Sequence, residues 1–190
     1  MTQLILASSS PYRKELLQRL QLDFICINPD IDEAPKTDEP AQKLVTRLAE
    51  EKANRVSEDN PKSWIIGSDQ CASFEGKLKG KPGTVEAAEN QLRAFSGKEV
   101  CFYTSVCLLN REANFQTSES TQTLVRFREL TDKEISVYIE TDNPIDCAGS
   151  FKAESLGISL FEAVESSDPT ALIGLPLIKL SRLLRKADIL

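Results

Sequence analysis

The sequence predicts an α/β fold: a mixed, strongly twisted sheet with helices on both sides, arranged as two lobes around a cleft. Three observations point there. An apolar run, Leu4–Ala7, leads straight into a helical pattern. A second continuous apolar run at 64–67 has the character of a buried strand, and the β-rich segments 100–109 and Phe115–Phe127 read as an antiparallel hairpin across the polar turn 110–114. A chain of 190 residues can bury a sizeable core, and the span 1–190 reads as one domain.

The elements follow in order. After Leu4–Ala7, three serines and a proline turn the chain into a helix with Ser10 as N-cap, Pro11 at the first helical position and Leu16, Leu17 and Leu20 as its apolar stripe. Such a terminus offers unpaired N–H groups and partial positive charge. Arg13 and Lys14 add full charges, so the junction suits an anion, most naturally phosphate. Most serine-capped strand-to-helix turns bind nothing, so the stretch alone does not decide. Phe24–Ile27 reads as a strand, and 28–39 as a loop holding Asp30, Asp32 and Glu33, carboxylates with no compensating base beside them in the sequence.

From 40 to about 56 the helical pattern returns, with Leu44, Val45, Leu48, Ala49 and Val56 on one face and Lys52 close to it. That lysine either points inward toward a ligand or snorkels outward. The apolar run at 64–67 ends in Ser68, Asp69 and Gln70. A carboxylate at the end of a buried strand, beside a glycine that permits close approach, stands where α/β enzymes place catalytic groups. A cleft position makes Asp69 removable at little cost in stability.

A hairpin over 71–79 leads into Lys81, flanked by Gly80 and Gly83. Thr84 caps a helix that buries Ala88, Leu92 and Phe95, and Thr131 with Glu134 forms a capping box for a helix carrying Ile135, Tyr138 and Ile139. Lys152 and Glu154 precede an expected apolar strand at about 158–161. Asp168 and Pro169 open the last helical region, whose stripe is Leu177, Leu180, Leu183 and Leu184. The segment 169–177 returns the chain to the first lobe, because the first strand and last helix both carry unshared apolar faces.

Composition narrows the chemistry. The chain has no histidine, which excludes Ser-His and Cys-His nucleophiles and histidine-ligated zinc. A net charge of −6 disfavours binding along a nucleic-acid backbone. Five cysteines with no CxxC pair read as reduced thiols, mostly in the core. No apolar run is long enough to span a bilayer or to act as a signal peptide, so a cytoplasmic protein without a membrane partner is expected.

LILASSSPYR at the start, EKA at 51–53, IIGSDQ at 65–70, GKP at 80–82, CAGSFKAE at 147–154 and GLPL at 174–177 together resemble the Maf family of nucleoside triphosphate pyrophosphatases. The resemblance runs from the first strand to the last helix. It implies a fold shared with inosine triphosphatases, a divalent cofactor (Mg²⁺ or Mn²⁺), and cleavage between the α and β phosphates of a nucleotide. It also implies a site in which Asp69 is the proton acceptor, Glu33, Lys52 and Lys81 are catalytic, Ser8 and Arg13 bind phosphate, and Glu33 and Asp69 hold the metal.

Tyr12, Gln70 and Glu154 resemble the YceF-type subgroup, which acts on 7-methyl-GTP. The branch that prefers dTTP and UTP carries Arg, Thr and Gln there. The alternatives are the same chemistry on UTP, dTTP or another modified nucleotide, and a non-catalytic nucleotide-binding regulator of cell division. The resemblance leaves room for a homodimer.

Overall fold

The computed structural model describes residues 3–190. In chain order the regular elements are β1 (Leu4–Ala7), α1 (Pro11–Gln18), β2 (Phe24–Ile27), α2 (Ala41–Asp59), β3 (Trp64–Phe74), β4 (Lys77–Lys79), α3 (Val85–Phe95), β5 (Glu99–Asn110), β6 (Phe115–Phe127), α4 (Asp132–Asp142), β7 (Phe161–Ser166) and α5 (Leu177–Lys186). Short 3₁₀ turns lie at Leu156–Leu160 and Ala171–Ile173. The chain divides into two compact units. One comprises the chain up to Gln70 with Thr104–Thr121 and Asp168–Leu190, and the other comprises Cys71–Tyr103 with Gln122–Ser167. The last helix therefore belongs to the unit of the first strand, as its apolar stripe requires.

In the first unit the strands run in the order β2-β1-β3-β5-β6, with β1 parallel to both its neighbours. Strand alternation sends successive β1 side chains to opposite faces, and both faces are covered. Leu4 and Leu6 join Leu16 and Leu17 of α1 and Leu180, Leu183 and Leu184 of α5. Ile5 and Ala7 join Ile65 and the Ala49, Ala53 and Val56 face of α2. Helices thus lie on both sides of a sheet whose pairings are mixed. The start of α5 has Pro176 as cap, which offers no side-chain acceptor. Buried Asp168 replaces it from upstream, accepting the Ile178 N–H at 2.7 Å and the Lys179 N–H at 3.1 Å. The last helix begins at Leu177, and Asp168 serves it as a cap.

In the second unit β4 pairs antiparallel with the far half of β3, and β7 pairs antiparallel with β6, with a register shift at Arg126/Phe127. Its interior is aromatic: Phe74, Phe95, Phe102, Phe127, Phe151 and Phe161 meet ring to ring at centroid distances from 4.8 to 5.8 Å. The predicted capping box of α4 is present at both its hydrogen bonds.

Three sequence expectations change. The strand expected to end at Gln70 continues to Phe74, because β4 gives its far half a partner. The strand expected around 158–161 begins only at Phe161. Before it, a Cβ at Gly157 would lie 2.4 Å from the Lys152 carbonyl oxygen, so the chain is folded back on itself there and closes a 3₁₀ turn. Of the cysteines, all free, only Cys71 and Cys107 are buried. Among the described residues no helix is long and apolar enough to cross a membrane.

Candidate active site

The site in the first unit grows from one glycine. Ile65, Gly67 and Asp69 alternate onto the α2 side of β3. A Cβ at Gly67 would stand 2.0 Å from the Ala49 carbonyl oxygen and 2.9 Å from the Ala53 nitrogen, so glycine alone lets α2 lie directly on the strand. Close approach was legible at this position, and the group that approaches is the backbone of α2. Lys52, next to Ala53, is thereby brought over the next residue on that face.

Lys52 is only 4% exposed, and its Nζ lies 2.6 Å from Asp69 Oδ1 and 2.7 Å from Glu33 Oε1. One buried ammonium bridges two carboxylates, which satisfies the rule that buried charge be paired. The lysine does not snorkel, and Glu33 has the compensating base that its own loop lacks. Asp69 is buried as well, at 6% exposure.

Glu33 arrives from the 28–39 loop with 54% of its side chain exposed, and a second cation fixes that loop. Arg47 of α2 grips Glu39 with both Nε and Nη2 at 2.7 Å and donates to the Ala34 carbonyl at 3.1 Å, one residue beyond Glu33. The guanidinium, and after it the Lys36 N–H, hold the Glu39 carboxyl down at a pKa of about 2. Arg47 is the residue that sequence reasoning missed. Nothing in the spacing of Glu39 and Arg47 reveals that the loop turns back to bring them together.

At the end of β1 the Ser8 N–H bonds to the Leu6 carbonyl, and its hydroxyl accepts the Ser10 N–H at 3.1 Å. Ser10 caps α1 by accepting the Arg13 N–H at 3.4 Å, and no acidic residue occupies the first turn. Arg13 is half-buried, with Nε donating to the Gly174 carbonyl at 2.9 Å. Tyr12 is half-buried on the same turn and Lys14 is exposed. Gln70 donates through Nε2 to the carbonyls of Ala171 and Leu172, at 2.8 and 2.9 Å, and contacts Thr104.

Lys81 and Glu154 belong to the second unit, and both are exposed on loops. The Lys81 loop is held at either side, where Gln91 donates to the Gly80 carbonyl and the Gly83 N–H donates to Ile145. Glu154 rides a turn whose Lys152 N–H bonds to the Tyr138 hydroxyl and whose Ser155 hydroxyl bonds to Asp142.

The structure thus joins Glu33, Lys52 and Asp69 in one cluster, sets Ser8 and Arg13 on one junction, and ties Gln70 to the 171–172 turn. Among the described residues no three His, Cys, Asp or Glu side chains converge as a metal centre. The acidic side chains of this unit's cluster are Glu33 and Asp69.

Sequence comparison places the chain among known proteins. A 7-methyl-GTP pyrophosphatase of Xanthomonas oryzae pv. oryzae is 51% identical over 98% of this chain and 97% of its own length. A protein of that name from Aromatoleum aromaticum is 47% identical over 100% and 97% of the two chains. The structure of the Staphylococcus aureus Ham1 protein is a looser likeness, at 13% identity and a TM-score of 0.46 over 66% of this chain and 72% of that one. The family description Maf-like protein matches residues 3–187, nearly the whole length, and with relatives half-identical from end to end the chain belongs to the Maf family.

Proposed function

We propose that this protein is a metal-dependent nucleoside triphosphate pyrophosphatase, a single Maf-type domain that hydrolyses 7-methyl-GTP to 7-methyl-GMP and pyrophosphate. The observation that carries the reading is the buried Glu33–Lys52–Asp69 cluster, in a chain about half identical to proteins named for that activity. In this reading water attacks the α-phosphorus, the bond from that phosphorus to the bridging oxygen breaks, and pyrophosphate leaves. Asp69 takes the proton of the attacking water. Lys52 engages its Oδ1, so the proton goes to Oδ2. Arg13, Lys81 and the amides of the serine loop bind the phosphates, and Lys52 keeps the two carboxylates at fixed spacing.

Two hard carboxylate oxygens suit Mg²⁺ or Mn²⁺, which complete their shells with water and phosphate oxygens, so Glu33 and Asp69 fit as the protein ligands. When bound, the cation supplies positive charge against the phosphates and makes water a better acid. For the base, Tyr12 offers an aromatic face to the cationic ring of 7-methylguanine, worth about 0.5–2 kcal/mol. Glu154 accepts from N1–H and the exocyclic amine, whereas uracil or thymine would set a carbonyl against it. The five free thiols suit a reducing compartment such as the cytoplasm.

The test is product identification with 7-methyl-GTP, UTP and dTTP in the presence of Mg²⁺ or Mn²⁺. The expected products from 7-methyl-GTP are 7-methyl-GMP and pyrophosphate in equal amounts, without orthophosphate, and Asp69→Asn lowers turnover by about 10³-fold. A diphosphate product, or binding without turnover, overturns the reaction. Faster turnover of UTP or dTTP overturns the assignment of Tyr12 and Glu154.

A further inference from the structure

Alternation along β3 divides the site. While Asp69 faces α2, Ser68 and Gln70 face the opposite side, where the chain returns through the 171–174 turn toward α5. Ser68 is wholly buried, and its hydroxyl lies 2.8 Å from the Ser105 carbonyl and 3.0 Å from that of Gly174. Gln70 holds the carbonyls of Ala171 and Leu172, and Thr104 adds a hydroxyl at 2.8 Å from the Ala171 oxygen. The turn closes through the Gly174 N–H onto that same Ala171 carbonyl, and Gly174 stands at φ +124°, where a side chain would be strained. The turn therefore hangs from the side chains of three strand residues. The Gly174 carbonyl, aimed by Ser68, receives Arg13 Nε at 2.9 Å.

Arg13 carries no other hydrogen bond from its guanidinium among the described residues. With Nε committed to a backbone acceptor, the plane of the fork is fixed and the terminal nitrogens are presented together, the geometry that suits a phosphate.

We propose that Ser68 and Gln70 are positioning residues for Arg13, acting on it through the carbonyl of Gly174, and that Gln70 affects nucleotide use through this turn and not by touching the base. The proposal rests on the reading above that Arg13 faces the phosphates. It separates two neighbours of Asp69 from the proton-transfer chemistry and gives both a structural route to substrate binding.

A double-mutant cycle on pyrophosphate release from 7-methyl-GTP tests it, with thermal melting run on every variant. Ser68→Ala and Gln70→Ala each lower kcat/KM by about 10- to 100-fold, chiefly through KM. Ser68→Thr, which restores the hydroxyl, recovers most of the loss. In an Arg13→Lys background, which lacks the planar fork, neither change has a further effect. Losses that multiply in that background, or that follow the drop in melting temperature across variants, overturn the proposal. So does a Gln70→Ala change in preference between 7-methyl-GTP and UTP that persists in Arg13→Lys, since Gln70 would then read the base itself. An Arg13→Lys enzyme with unchanged kcat/KM instead sinks the phosphate role of Arg13, a failure distinct from additivity.

Discussion

Around β1 the first unit buries leucine, isoleucine, valine and alanine between parallel strands and three helices, whereas the second unit buries a run of phenylalanine rings beneath antiparallel strands. The candidate chemistry is distributed just as unequally. In the first unit Lys52 and Asp69 are themselves interior, and their meeting depends on the glycine contact that sets the α2 to β3 spacing. In the second unit Lys81 and Glu154 stand exposed on loops, while the ring cluster lies in the core. Stability and site geometry are therefore inseparable in the first unit and separable in the second.

The largest stability loss tests the separable side. Phe127 touches Phe95, Phe151 and Phe161, so Phe127→Ala should cost about 3–5 kcal/mol in urea unfolding. Below its melting temperature the variant should keep its turnover, and a loss of turnover in the folded protein would join core and site in the second unit too. The complementary change is Gly67→Ala. The added methyl meets backbone, which has no rotamer to escape by, so a loss of about 3 kcal/mol is expected. Displacing α2 also separates Lys52 from Asp69, and turnover of the remaining folded protein should fall by about 10²-fold. Full turnover in a destabilised Gly67→Ala would show that the cluster tolerates a shifted helix.

What the sequence disclosed follows the same line. Ser10 over Pro11, Thr84, and the Thr131–Glu134 box are local rules, and each stands where the pattern placed it. The continuous apolar run that makes β1 an interior strand was equally plain. Distant closures were not. The Glu33 carboxylate read as unpaired because its partner Lys52 comes from another element, and Arg47 went unseen because a loop has to fold back to reach it. Around 158–161 an apolar run read as a strand, since hydrophobicity does not record that Gly157 folds against Lys152. Asp69 was legible as a residue and not as an environment: the strand pattern located it, but only the packing of α2 buries it.

The smallest expected effect compares one carboxylate from each unit. Glu39 is lowered from 4.5 to about 2 chiefly by the Arg47 side chain, and Glu134 from 4.5 to about 2 by the Thr131 N–H, the Thr131 hydroxyl and Arg128. Both folded values lie below the unfolded one. The stability each contributes is therefore complete above pH 4.5 and lost as pH falls from there through about 2. Urea midpoints measured at neutral pH and near the lower end of this window should drop less in Glu39→Gln and in Glu134→Gln than in the unaltered protein. The two variants should part at neutral pH. Glu39→Gln weakens the Arg47 latch on the loop that carries Glu33, so turnover falls along with stability, whereas Glu134→Gln loosens the cap of α4 and its pairing with Arg128 and leaves turnover alone. Equal turnover in both variants would mean that the Glu33 loop keeps its place without the latch, and that the first unit separates stability from chemistry as the second does.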